Sequence, residues 1–137
     1  AGRRRVSVKI LVPVDGSDCS FRALAFAAEM ATNFDATLHV VHITDSHDEA
    51  TEETIRRARD VLDAHDVEDD PDVRTDVGLD FRPSNRIGED IVSIVADEGY
   101  DHIVMGHHGA GAVERALLGS ATETVMDAER VPVTVVP

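Results

Sequence analysis

Apolar, β-branched runs alternate with helix-period segments along this whole chain, and that alternation restricts the fold more than any other feature. Residues 6–14, Val-Ser-Val-Lys-Ile-Leu-Val-Pro-Val, read as a strand, with Pro13 marking where regular pairing stops. Ser17 is placed to cap a helix over about 18–32, with Phe21, Leu24, Ala25 and Ala28 on one face. Residues 36–43 form a second strand. A charged helix over about 47–66 follows, with Ile55, Ala58, Leu62 and His65 inward and Glu52, Glu53, Arg56, Arg57 and Arg59 on its solvated faces. Pro71 precedes a weak, alternating strand at 73–77, expected at a sheet edge and ended by Gly78. Pro83-Ser84 starts a helix that buries Ile87, Ile91, Ile94 and Val95 and is closed by Gly99. Residues 101–105 make strand four, 120–129 a helix, and 131–136 the last strand. The pattern predicts an α/β fold, a doubly wound parallel sheet with helices on both faces, and residues 1–137 read as one domain.

In such sheets ligands bind beyond the carboxyl ends of the strands, at the topological switch point. Asp15 falls just past strand one and Gly106 just past strand four. If those strands are neighbours, both residues line one crevice. The segment after strand four, Gly106-His107-His108-Gly109, runs on to Gly119-Ser120, where the helical pattern Ala121-Thr122-Glu123-Thr124-Val125 begins. Glycines let backbone amides approach a ligand without a Cβ between. A helix start adds further N–H groups and a favourable dipole for anions. The segment therefore reads as a phosphate cradle. The plainer alternative is a flexible glycine loop, which the spacing and Ser120 disfavour.

Charge narrows the partners. Of the 137 residues 27 are acidic and 13 basic, giving a net charge of −14; the acids are mostly Asp, and Lys9 is the only lysine. Such a surface is self-repelling unless salt screens it, which favours a high-salt cytoplasm over an ordinary acidic protein. Nucleic acid is not an expected partner, because phosphate backbones select basic surfaces. The cluster Arg3-Arg4-Arg5 reads as a solvated tail, and no apolar run approaches a membrane span. The single Cys19 permits no intramolecular disulfide, and a cytoplasmic location is expected.

These residues resemble the universal stress protein family. Gly106-x2-Gly109-x9-Gly119-Ser120 is similar to its nucleotide-binding signature. The opening Ile10-Leu11-Val12-Pro13-Val14-Asp15-Gly16-Ser17 resembles its first strand and turn, and Ile103-Val104-Met105-Gly106 its fourth strand. The resemblance implies a five-stranded parallel sheet in the order 3-2-1-4-5, of the adenine nucleotide alpha hydrolase-like kind. It also implies a small ATP-binding, stress-response homodimer. Carried over by position, Pro13, Val14 and Asp15 meet the adenine and ribose side, and Ile43 offers backbone groups to the adenine edge. Met105 lines the pocket. Gly106, Gly109, Gly119 and Ser120 hold the phosphates, with Ala121 and Thr122 adding contacts; the small Ala121 departs from the family and loosens that start. His107 and His108 lie in the variable positions between the glycines, where they are able to donate to phosphate oxygens. Mg²⁺ is expected with the nucleotide, through Asp15 or through phosphate oxygens alone. The dimer is expected through the last strand, where Val131, Val133, Val135 and Val136 otherwise expose an apolar edge.

Other chemistries fit less well. A Walker loop needs Gly-Lys-Ser/Thr, and Lys9 is far from any glycine loop. The dinucleotide fingerprint lacks its third glycine here. Receiver domains use a lysine after the last strand, and flavodoxin-like carriers a phosphate loop after strand one, where this chain has Asp15 and Asp18. His39 and His42, three apart on a strand, point to opposite faces and do not share a metal, so no zinc site is expected. Asp15 also reads as a turn residue, Ser17 as a cap, and Cys19 as a small buried side chain. Little or no hydrolysis is expected. A slow ATPase or phosphotransferase, or a nucleotide-free interaction module, remain the alternatives.

Overall fold

The computed structural model describes residues 8–44, 47–75, 83–107 and 120–137. Among the described residues nine elements follow in the order β1 (Lys9–Pro13), α1 (Asp18–Phe34), β2 (Thr37–Thr44), α2 (Glu49–Ala64), β3 (Asp72–Thr75), α3 (Pro83–Glu98), β4 (His102–Gly106), α4 (Ser120–Ala128) and β5 (Val133–Val136). All strand pairs are parallel, and the sheet runs β3-β2-β1-β4-β5. The order expected from the resemblance is therefore the one observed. β1 and β4, far apart in sequence, are hydrogen-bonded neighbours with Ile10 opposite His102 and Leu11 opposite Ile103.

The period-two alternation of each strand builds two cores. Ile10, Val12, Val40 and Val104 pack with Phe21, Leu24, Ala27, Ala58 and Leu62 under α1 and α2. Leu11, Val41, Ile43, Ile103 and Met105 pack with Ile91, Ile94, Val95 and Val125 under α3 and α4. Each fully buried Leu or Ile contributes about 1.5–3 kcal/mol relative to leaving it in water. Gly88 sets the closeness of α3 to α4: a Cβ there would meet the Thr124 Cβ at 2.6 Å.

Several element bounds differ from expectation for local reasons. α1 continues to Phe34 and stops at Asp35, whose left-handed φ of 55° returns its N–H to the Ala31 carbonyl. β5 starts at Val133 rather than 131, after Pro132, which has no N–H to give a ladder but accepts from Ile103 N–H at 3.1 Å. β3 begins at Asp72 and lies at the expected edge; 76–82 fall outside the described residues. In α2 the buried face is Thr51, Thr54, Ala58 and Leu62, with Ile55 only half-buried on its flank; Asp48 caps the helix through a reciprocal bond with Thr51.

Candidate nucleotide site

The sheet order brings two chain reversals to one place. β1 ends at Pro13, and Val14 is held on the neighbouring strand by its N–H on the Val41 carbonyl at 2.9 Å. Its own carbonyl accepts from His42 Nδ1 at 2.8 Å, which fixes the imidazole as the Nδ1–H tautomer. His42 is 8% exposed, and its work is to anchor the backbone one residue before Asp15. As a candidate metal ligand, His42 gave no hint of this bond. Its three-residue offset from His39 was the available signal, since it puts His42 on the face of Val40 and Val14.

Asp15 then turns the chain. Its Oδ1 accepts from the Ser17 N–H at 3.0 Å and from the Ser17 hydroxyl at 2.6 Å, while Gly16 supplies a φ of +90°. Ser17 caps α1 by accepting from the Ser20 N–H at 3.2 Å. Asp15 is thus a turn residue and a half-buried carboxylate just past the end of β1, and Ser17 is the cap that was expected.

On the other side, β4 ends at Gly106, which is buried. The absence of a side chain here has a packing cause that the sequence reading did not find. A Cβ would lie 2.6 Å from Cys19 Sγ and 3.1 Å from the Cys19 carbonyl carbon, so the first turn of α1 rests directly on the end of β4. The Cys19 thiol donates to the Val136 carbonyl at 3.2 Å and accepts the His107 N–H at 3.2 Å. Cys19 is 2% exposed, as expected of a small buried residue. α4 is tied to the same point: Thr122 Oγ1 donates to the Gly106 carbonyl at 2.8 Å.

The candidate residues therefore divide. Pro13, Val14, Asp15, Gly106, Ala121 and Thr122 lie along the β1 and β4 carboxyl ends and the first turn of α4, with Ser120 as its first residue. Ile43, on the penultimate position of β2, and Met105 are 8% and 5% exposed, their side chains in the α3/α4 core. His108, Gly109 and Gly119 lie outside the described residues, as do Arg3, Arg4 and Arg5. A separate hollow of about 240 Å³ opens beside Ile43, between Arg74 and the α3 acids Asp90, Asp97 and Glu98. Its acidic wall makes it a poor place for a triphosphate. Among the described residues no group of three or more His, Cys, Asp or Glu side chains is arranged to hold a metal ion. His39 and His42 do diverge: His39 Nδ1 pairs with Asp69 Oδ1 at 2.9 Å. No helix among the described residues is long and apolar enough to cross a membrane.

A five-stranded parallel sheet in the order 3-2-1-4-5, flanked by helices, defines an adenine nucleotide alpha hydrolase-like protein. Within that class the chain belongs to the universal stress protein family, whose profile matches residues 8–137. A relative from Methanocaldococcus jannaschii, universal stress protein MJ0531, is 29% identical over 93% of this chain and 81% of its own length. Among solved structures, MJ0577 of the same organism superposes with a TM-score of 0.70 at 27% identity, covering 96% of each chain. The universal stress protein from Archaeoglobus fulgidus in complex with dAMP superposes with a TM-score of 0.72 at 24% identity, covering 97% of this chain and all of that one.

Proposed function

We propose that this chain binds an adenine nucleotide, ATP with Mg²⁺, over the carboxyl ends of β1 and β4, and acts in a stress response as a nucleotide-responsive homodimer with little or no hydrolysis. The observation that carries the reading is the convergence on Gly106: α1 packs against it through Cys19, and α4 bonds its carbonyl through Thr122. That contact holds the Asp15 turn, the end of β4 and the start of α4 side by side. Helix starts and main-chain amides are the groups that hold a phosphate tail. Pro13, Val14, Asp15 and Ile43 serve the base and ribose. Met105 lies beneath them, and Gly106, His108, Gly109, Gly119, Ser120, Ala121 and Thr122 serve the phosphates. The dAMP bound by the Archaeoglobus fulgidus relative is consistent with an adenine ligand.

Asp15 suits Mg²⁺ as a single oxygen donor, since this ion takes one or two carboxylates and completes its shell with phosphate oxygens and water. The Ser17 bonds hold that carboxylate in place. Self-association is assigned to the open edge of β5, beside which Arg22 reaches the Pro137 carbonyl and Phe26, one turn along α1, is 43% exposed. The net charge of −14 with a single lysine supports a cytoplasm of high salt as the working environment.

Thermal melting in molar salt with ATP, AMP, GTP and cyclic AMP tests the reading. ATP at a hundred times its Kd should stabilise by about 2.7 kcal/mol, and GTP at equal concentration by less. No shift with any adenine nucleotide would leave a nucleotide-free interaction module. Single-turnover cleavage near ~1 s⁻¹ would make it an enzyme instead.

A further inference from the structure

The pair His102–Thr134, under the open edge of the sheet, takes no part in the crevice. His102 Nε2 and Thr134 Oγ1 are 2.7 Å apart. Both side chains share the sheet face of Val104 and Val136, which belong to the α1/α2 core. β5 is the outermost strand on this side, beyond β4. Ile103 N–H donates to the Pro132 carbonyl and His107 N–H to the Val136 carbonyl. By the alternation of a parallel ladder, Thr134 also turns its backbone groups to β4, and Val133 and Val135 turn theirs outward.

An edge of that kind complements itself. Two copies meeting antiparallel about Thr134 exchange four N–H···O=C bonds, Val133 with the partner's Val135 and the reverse. Thr134 then faces the partner's Thr134 as a non-hydrogen-bonded pair, the arrangement with side chains closest, Cα atoms ~4.5 Å apart. Each His102 sits directly behind that contact.

We infer that the His102–Thr134 pair is a pH switch on association between copies: a neutral imidazole is compatible with the paired edge, an imidazolium is not, and acidification releases the dimer. The inference rests on the β5 dimer proposed above. Partial burial already pushes the His102 pKa below its ordinary value. A second copy closes over the edge beside Thr134 and removes more water from the same imidazole, so the charged form is disfavoured further. A group whose pKa falls on association supports the dimer fully above its free-chain pKa and opposes it as pH drops through that value. Charged groups of the surrounding elements are engaged elsewhere. Lys9 reaches the Glu98 carbonyl, Asp101 accepts from the Lys9 amide, Asp18 pairs with Arg57, and Arg22 holds the Pro137 carbonyl. Glu29 faces solvent, and burial alone shifts His102.

Sedimentation equilibrium of the full chain at fixed molar salt, from about pH 7.5 to about pH 5.5, tests this, because carboxylates stay mostly ionised across that window. The dimer Kd should rise at least about tenfold for the wild type and change less than about twofold for His102→Gln, whose amide keeps a bond to Thr134 but does not titrate. A second readout needs no variant: the His102 imidazole NMR titration should move to lower pH as protein concentration, and hence dimer fraction, increases. A wild-type dimer whose Kd ignores pH, or a His102→Gln dimer that weakens equally, overturns the switch while leaving the dimer standing. A chain that stays monomeric at about pH 7.5 overturns the β5 dimer and the switch together.

Discussion

The hydroxyl of Thr122 donates to the carbonyl of Gly106 at 2.8 Å, and both residues are buried. One bond thus joins the end of β4 to the first turn of α4 and closes the base of the segment that carries the glycine signature. Thr122→Val removes the donor and leaves a buried carbonyl without it. The expected cost is about 1–3 kcal/mol in urea unfolding, together with weaker ATP binding. Thr122→Ser should restore most of both. Equal stability of the valine variant and the wild type would show that the bond does not hold the segment.

Gly106→Ala should also destabilise, by about 1–3 kcal/mol, since its Cβ would enter the Cys19 contact at 2.6 Å from Sγ. Cys19→Ala removes that sulfur, so the double variant should recover part of the loss. The recovery is incomplete because the Cys19 main chain, 3.1 Å from the new Cβ, stays in place. A double-mutant cycle with no coupling would contradict the contact.

Gly88→Ala makes a contrasting case. Here the new Cβ would meet the Thr124 Cβ itself at 2.6 Å, and the Ala121 carbonyl at 3.1 Å. Trimming Thr124 to Ala keeps its Cβ and should not rescue the variant. Thermal unfolding of the single and double variants checks this, and a full rescue would mean that α3 and α4 are free to separate.

His39 gives a pH dependence of known sign. Its hydrogen bond to Asp69 raises its pKa, outweighing partial burial, and the charges of Asp69 and Asp72 add to the effect. A histidine whose folded pKa is raised stabilises fully below its unfolded pKa, and that contribution fades as pH rises through the folded value. The stability lost in His39→Gln should therefore be larger near about pH 5.5 than near about pH 8. An equal loss at both would show that the pairing with Asp69 carries no charge.

The strands were legible because apolar and β-branched residues give each of them a period the eye can count, and because Leu11, Val41 and Ile103 share one face while Ile10, Val40 and Val104 share the other. The order 3-2-1-4-5 was legible only through the motifs around Asp15 and Gly106, since alternation alone does not say which strands touch. The reason for Gly106 was not legible. It depends on Cys19, distant in the chain, arriving within van der Waals distance, and the glycine signature already offered another reason for the same residue. The role of His42 was only partly legible: its offset from His39 gives the face it lies on, but not that its partner is the Val14 carbonyl. The inward turn of Thr51 and Thr54 in α2 was likewise hidden, because hydropathy ranks them below Ile55.

The central claim is positional: an adenine nucleotide sits where the Asp15 turn, the end of β4 and the start of α4 meet. Mapping backbone amide shifts by NMR as ATP and Mg²⁺ are added in molar salt tests it most directly. The largest shifts should fall on residues 14–17, 106–109 and 119–122, and Gly109→Val, whose side chain blocks the amides, should abolish them. Shifts concentrated instead on the outer faces of α2 or α3, or an unchanged response in Gly109→Val, would contradict the claim.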